Sequence, residues 1–90
     1  MKRYRFSLES VLGRYSEAEG HFAKAAELNA RGQMEFAAAV TNLQWGRMLS
    51  ARAGPGDLER ARQLLTLAHE TAVSRGYASI ARRATTALSE

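Results

Sequence analysis

The stretch GRYSEAEGHFAKAAELNA, residues 13–30, decides the fold class. Its apolar residues recur every three or four positions: Tyr15, Ala18, Phe22, Ala25 and Leu28. This spacing places them on one side of an α-helix, which turns once in about 3.6 residues. Glu27 and Arg31 stand four residues apart in the order that supports a helix. The stretch therefore predicts an amphipathic helix that stops at Gly32.

Three further helices are predicted, because the helical period continues and no stretch alternates as a β-strand does. The second spans about residues 33–52 and turns inward Phe36, Val40, Leu43, and either Gly46 or Trp45. The third has Asp57 as its N-cap, ends at Gly76 and buries Leu58, Ala61, Leu64, Leu65, Ala68 and Ala72. The last helix buries Tyr77, Ile80, Ala81, Ala84 and Leu88.

The sole proline of the chain, Pro55, lies in AGPGD, residues 53–57, which is the clearest turn. A short helix before Gly13, through Phe6, Leu8 and Val11, brings the expected total to about five helices. Short turns make neighbouring helices antiparallel. We therefore expect an all-α fold, with a basic, frayed N-terminal segment over residues 1–7 and one helical domain over residues 8–88.

Composition narrows the class of protein. Ninety residues, of which 46% are hydrophobic, suffice for one domain. All of the 13 basic residues except Lys2 and Lys24 are arginine, and acidic residues lie among them, so the formal net charge is only +4. The absence of cysteine excludes disulfides and thiolate metal sites. Polar residues interrupt the apolar run that an export signal needs, and no long apolar window follows, so we expect a soluble, cytoplasmic chain without a membrane span.

The opening stretch is repeated 43 positions later. At this offset Tyr15, Ala18, Phe22 and Ala25 align with Leu58, Ala61, Leu65 and Ala68. The shared pattern is a small residue, a large residue and a second small residue. Alanines let two helices approach closely, and the large residue fills the space beside the contact. One hairpin cannot bury such a face alone, so the repeat predicts stacked helical hairpins.

This pattern resembles the second helix of a tetratricopeptide repeat (TPR), in which Ala-x3-Phe follows a Gly-x-Tyr turn. The matching residues are Gly13, Tyr15, Ala18, Phe22, Ala25 and Leu28. Asn29 and Ala30 stand where the family favours an acidic residue and a proline. The resemblance implies a short TPR-like α-solenoid that binds a protein or peptide.

The second repeat can be aligned in two registers. In one, Trp45 and Gly46 replace the Leu-Gly pair of the family, and Leu49 replaces its tyrosine. In the other, Trp45 takes the place of the family's tryptophan and the glycine is lost. We favour the first, because Gly46 permits close packing and AGPGD is then an expansion of the hairpin turn. Trp45 itself is either a core residue between repeats, which we favour, or an anchor for a partner.

The period of 43 residues exceeds the usual TPR period of about 34 residues. Lengthened repeats with a GPGD-like turn resemble those in the C-terminal regions of large bacterial signalling ATPases, including LuxR-type transcription activators and cyclase-linked regulators. The resemblance covers about residues 8–88 and implies a piece, or a stand-alone copy, of their sensor region.

No residue pattern indicates catalysis. His21 and His69 occupy non-equivalent repeat positions without a carboxylate at clear ligand spacing. There is no G-x-S-x-G motif, and Gly54 and Gly56 lack the Lys-Ser/Thr of a phosphate loop. We therefore expect no catalytic, cofactor or metal site, and no enzyme.

The resemblance implies that the first helix of each repeat lines a concave groove. On the helix over residues 33–52, Thr41, Gln44, Arg47 and Ala51 share one stripe. Thr41, Gln44 and Arg47 are thus candidate partner-binding residues, and Arg82, beside Arg83, is a fourth. Arginine suits carboxylate recognition because its planar fork contacts two oxygens at once.

A small basic module that binds nucleic acid is the alternative. Lys2, Arg3 and Arg5 alternate with Tyr4 and Phe6, as in some nucleic-acid-binding segments. No known nucleic-acid-binding motif joins them to the second basic cluster, so a protein partner is preferred.

The repeat count predicts unsatisfied ends. About two repeats are visible, whereas stacked repeats usually need three or more. The final helix has no hairpin mate in the sequence. We therefore expect that the isolated chain self-associates through a terminal helix, binds a neighbour there, or is only marginally folded.

Overall fold

Four helices follow one another in the computed structural model, which describes residues 8–90 and, from Gly13 onward, their side chains. They are α1 (Leu8–Gly32), α2 (Glu35–Arg52), α3 (Asp57–Arg75) and α4 (Ala78–Ser89). No residue of this described part lies in a strand. The predicted all-α class is confirmed.

The described residues form four helices rather than the predicted five. The short helix expected through Leu8 and Val11 is continuous with α1, while Phe6 lies outside the described residues. Gly13 does not interrupt the helix. A glycine in a helix interior costs only about 1 kcal/mol relative to alanine, which a helix of this length tolerates.

The helix stop predicted at Gly32 is confirmed, whereas the start of α3 differs from the prediction by one residue. α1 ends at Gly32, and the next residue, Gln33, takes the left-handed conformation, with φ of 54°. Asp57 is the first residue of α3 rather than its N-cap, which is Gly56 with φ of 77°. The N-cap prediction for Asp57 is therefore wrong, because its carboxylate is bound to other groups of the turn, described below.

Each helix packs against the next one in the sequence, and α2 also contacts α4. The described part measures 50 × 29 × 24 Å along its principal axes. Along the α1–α2 contact Glu19 meets Arg52, Phe22 meets Trp45, and Asn29 meets Thr41. Residue numbers rise on one helix as they fall on the other, so α1 and α2 are antiparallel.

Two apolar clusters form the core. The first joins α2, α3 and α4 through Ala39, Leu43, Leu65, Ala68, Ala72, Ile80 and Ala84. The second joins α1, α2 and α3 through Trp45, Leu49, Ala61 and Leu64, with Phe22, Ala26 and Met48 beside them. Alanine is frequent at these positions, so the helices lie close and a few large side chains provide most of the buried apolar area.

Gly46 lies in the α2–α3 contact. A Cβ atom added to Gly46 would lie 2.7 Å from Leu65 Cγ and 3.3 Å from the Ala61 carbonyl oxygen. These distances are shorter than van der Waals contact, so the two helices approach more closely than any other residue at this position would allow.

Three residues predicted to face inward are largely exposed: Leu28 by 52%, Phe36 by 57% and Leu58 by 61%. Phe36 and Leu58 are the second residues of α2 and α3, where the neighbouring helix covers little of the surface. Phe36 still contacts Tyr77 edge to face, with ring centroids 5.0 Å apart. On α1 the buried residue is Asn29 in place of its neighbour Leu28.

Candidate partner-binding cleft

A surface pocket of about 390 Å³ lies where α2 meets α4. Arg47 of α2 lines one side. The lining residues from the other side are Arg82, Arg83, Thr86, Ala87 and Glu90. Each of the three arginines is exposed. The pocket therefore brings basic side chains from two helices to one place.

The pocket continues along α2 towards the start of α3. A neighbouring recess of about 370 Å³ shares Arg47 and Glu90 and adds Ser50, Ala51 and Leu58. A third, of about 160 Å³, adds Arg62 and is lined by Leu65 and Leu88 as well. We call the three together the α2–α4 cleft. It has an arginine-rich end and an apolar end at Leu58.

The arginines of the pocket carry no ion pair with the described residues, and Glu90 is the single carboxylate side chain that lines it. Three other described arginines are paired with carboxylates: Arg31 with Glu27, Arg75 with Glu35, and Arg52 with both Glu19 and Asp57. The Thr86 hydroxyl donates to the Arg82 carbonyl oxygen at 3.1 Å, so its proton is already used. The pocket thus has an excess of positive charge, and the guanidinium N–H groups of its arginines are free to donate to a ligand.

The four predicted partner-binding residues have different positions. Arg47 and Arg82 line the same pocket. Gln44 is exposed on α2 but lines none of the three recesses. Thr41 is buried against α1, where its hydroxyl accepts a hydrogen bond from Asn29 Nδ2 at 3.1 Å. The prediction that Thr41 contacts a partner is therefore corrected, because its side chain packs against α1.

Sequence reasoning missed Leu58 and Glu90 as cleft residues. Leu58 was assigned to the core because it has the right helical spacing, and Glu90 had no distinguishing pattern. The signal for Leu58 was its place beside the turn, where a helix begins and its first residues have few neighbours.

A partly buried polar network lies at the α2–α3 turn. Arg52 donates to both carboxylate oxygens of Asp57, at 2.7 Å and 3.0 Å, and lies 3.0 Å from Glu19 of α1. The Gly54 backbone N–H also donates to Asp57, at 2.8 Å. The hydrogen bonds from Arg52, more than the one from Gly54, hold the pKa of Asp57 below its usual value. The hydrogen bond to Asp57, followed by the contact with Glu19, raises the pKa of Arg52. This network closes the turn and ties α1 to it.

The repeat residues divide between the helices. Ala61, Leu65 and Ala68 on α3 are buried in the core. Their counterparts on α1, Ala18, Phe22 and Ala25, are only half-buried. The difference arises because α3 packs between α2 and α4, whereas α1 contacts α2 alone among the described helices. Tyr15 is also half-buried, and its counterpart Leu58 is largely exposed. Gly13 is exposed, with open space around it.

Trp45 is buried, with 8% of its surface exposed, between Phe22 and Arg60. Its ring stacks on that of Phe22 at 6.4 Å, and the Arg60 guanidinium lies 5.2 Å from its centroid. The indole Nε1 has no hydrogen-bond partner among the described groups. Trp45 therefore lies in the core position that we favoured for it.

Titratable side chains do not converge elsewhere in the described part. His21 is exposed and His69 half-buried. Within residues whose side chains are described, no three His, Cys, Asp or Glu residues are grouped so that they could hold a metal ion. In the same part of the chain, no helix has the length and apolar character needed to cross a membrane.

No family model, curated protein or solved structure matches the chain.

Proposed function

We propose that this chain is a TPR-like protein-interaction module whose α2–α4 cleft binds a segment of a partner protein. The arginine-rich pocket between α2 and α4 carries the proposal. A concave surface with a few polar groups and an apolar end is the usual form of a ligand site. Exposed arginine is also enriched at protein interfaces.

The packing order supports the TPR-like part of the proposal. In this interpretation α1 is the second helix of one repeat, α2 and α3 form the next repeat, and α4 begins a third. First helices would then be α2 and α4, which are in contact and form the cleft. Ala18 lies on α1 and Ala61 on α3, so this interpretation would place both on second helices, in agreement with the 43-residue offset.

The lengthened period extends the same proposal to a parent class. We infer that the module serves the sensor or interaction region of a bacterial signalling ATPase or transcription regulator, in the cytoplasm, and that it binds without catalysing a reaction. This part rests on the resemblance of the repeat and of the GPGD turn alone.

The form of the cleft favours protein over nucleic acid as the partner. Nucleic-acid binding needs a basic track that follows successive phosphates. Here the arginines Arg47, Arg82 and Arg83 are gathered at one end, and the surface continues over Ala51 and Leu58 to the single arginine Arg62. A peptide with charged and apolar side chains matches both ends.

Site-specific photo-crosslinking tests the proposal. A photoreactive amino acid at Ser50, which lines the cleft, should form adducts with one protein in cells that naturally contain this chain. The same group at Lys24, exposed on α1, is the matched control and should not. The Ser50 adduct should disappear when Arg47 is changed to Gln, and it should survive nuclease. Equal adducts from both positions, or a nuclease-sensitive adduct, would show that the cleft is not a protein-binding site.

We also propose that the isolated chain self-associates through a terminal helix. α1 contacts α2 alone among the described helices, and Leu28 is exposed on it. Sedimentation velocity should show a larger average mass as the concentration rises, and Leu28→Ser should reduce it. A constant monomer mass over a wide concentration range would contradict this.

A further inference from the structure

We propose that the arginine-rich pocket of the α2–α4 cleft binds a phosphorylated serine or threonine side chain of the partner protein. An apolar residue of the same segment would pack on Leu58. This inference rests on the proposed function and specifies the chemistry of its ligand.

The charge in the pocket calls for a multiply charged anion. Three arginines, Arg47, Arg82 and Arg83, line the pocket, and Glu90 contributes its single carboxylate side chain. A phosphorylated side chain has a charge of about −1.5 to −2 at pH 7. A single carboxylate from a partner would leave half of this excess uncompensated.

Hydrogen-bonding capacity leads to the same ligand. A guanidinium presents its N–H groups as a planar fork that matches two oxygens of a phosphate or carboxylate. A phosphoryl group has three terminal oxygens, enough for forks from Arg47, Arg82 and Arg83 to share. Arginine clusters are a recurring means of recognising phosphorylated motifs. No ion pair within the described part must be broken first.

The backbone beneath these arginines is fixed by the core. Gly46, next to Arg47, packs directly on Leu65. Ile80 and Ala84, on either side of Arg82 and Arg83 in the sequence, are buried. The guanidinium groups therefore extend from two anchored helices, so a phosphate bound between them would bridge α2 and α4.

The remainder of the cleft requires more than a free phosphate. A recess that shares Arg47 leads to Ala51 and Leu58, and Leu58 is largely exposed there. A segment that places a phosphorylated side chain at the arginines would bring a neighbouring residue to Leu58. An apolar side chain at that position would cover the exposed leucine.

Fluorescence anisotropy with synthetic peptides tests the inference on the full chain. The probes are peptides with a central phosphoserine and a leucine two to five residues away, in mixtures otherwise degenerate. Matched probes have serine or aspartate in place of phosphoserine, and inorganic phosphate serves as competitor. We expect the phosphorylated probes to bind at least about tenfold more tightly than either control, with inorganic phosphate competing only weakly.

Variants locate the binding. Arg82→Gln should weaken phosphopeptide binding about tenfold, whereas Glu90→Gln, which removes the opposing carboxylate, should strengthen it. Arg31→Gln is the matched control, because it removes the same charge from an exposed arginine on α1 and should leave affinity unchanged. Leu58→Ser should abolish the preference for leucine in the probe. Circular dichroism melts should show each variant folded, since Arg31, Leu58, Arg82 and Glu90 are all exposed.

Four outcomes would overturn the inference: no phosphopeptide binding, equal binding of the serine or aspartate probes, equal loss in Arg31→Gln, or preference for duplex DNA or RNA. The Ser50 crosslinking experiment separates the two proposals. A protein adduct at Ser50 without phosphate dependence removes this inference and leaves the proposed function. Loss of the adduct removes both.

Discussion

Replacing Gly46 by alanine should destabilise the fold, although alanine is the better helix former. The added Cβ would lie 2.7 Å from Leu65 Cγ, 2.9 Å from Leu65 Cδ2 and 3.3 Å from the Ala61 carbonyl oxygen. Leu65 is fully buried, so its side chain has little room to move away, and the carbonyl belongs to the α3 backbone. Overpacking of this kind costs about 1–3 kcal/mol. The gain in helix propensity offsets about 0.5–1 kcal/mol of that cost.

Gly20→Ala is the matched control, because Gly20 is exposed within α1 and has no atom within 4 Å of an added Cβ. It should gain the same propensity without the clash, so it should stabilise the chain by about 0.5–1 kcal/mol. The difference between the two variants therefore isolates the steric cost, about 2 kcal/mol. In a domain of this size that corresponds to a difference in Tm of about 8–16 °C.

Thermal and urea unfolding measure this difference when the helical circular dichroism signal is monitored at about 222 nm. The two methods should rank the variants alike. If Gly46→Ala is as stable as Gly20→Ala, then α2 and α3 do not approach closely at Gly46, and the packing described for the repeat is wrong.

Three other substitutions test contacts that hold α1 and the turn. Phe22→Ala should cost about 2 kcal/mol, which is less than for a fully buried ring because Phe22 is half-buried against Trp45. An unchanged Tm would show that the stack of Phe22 on Trp45 does not stabilise the core. Thr41→Val should cost about 1–3 kcal/mol by leaving buried Asn29 Nδ2 without a partner, and adding Asn29→Leu should recover part of the loss. An additive double variant would show that the pair is not coupled. Asp57→Asn should lower Tm at neutral pH. Because the folded-state pKa of Asp57 is lowered, its stabilisation is present above the ordinary value of about 3.9 and disappears as the pH falls through the folded-state pKa. The difference in Tm from the unsubstituted chain should therefore shrink in acid, and a difference independent of pH would contradict the role of this carboxylate.

The all-α class followed from the sequence because apolar spacing reports the face that a helix buries. Ala61, Leu65 and Ala68 were assigned to the core from their spacing, and all three are buried. Spacing does not report where a neighbouring helix ends. Phe36 and Leu58 have correct helical positions but lie in the first turns of α2 and α3, where they remain exposed.

Polar contacts between helices were not predictable from apolar periodicity. The α1 face was expected to end at Leu28, but Asn29 is buried because Thr41 satisfies its side-chain donor. Likewise, aspartate is a residue type favoured at N-caps, but the carboxylate of Asp57 accepts hydrogen bonds from Arg52 and Gly54 instead. In each case the partner decides the role, and the partner is fixed only when the helices have packed.

The cleft was partly predictable. Arg47 was chosen from its stripe on the first helix of a repeat, and Arg82 from its basic pair with Arg83. That they line one pocket depends on the contact between α2 and α4, which no local pattern encodes. The same contact brings Glu90 to the pocket, and it sets the charge that a ligand must balance.

The core explains why this cleft combines a fixed frame with free side chains. α2 and α4 are held by one apolar cluster, to which α2 contributes Leu43 and α4 contributes Ile80. Between them α3 presents Ala68 and Ala72, whose small size lets both helices lie close. Burying alanine removes little apolar area from water, so the large residues of the cluster provide most of the stabilisation. The arginines take no part in this packing, so a charged ligand can bind them without disturbing the contacts that position them.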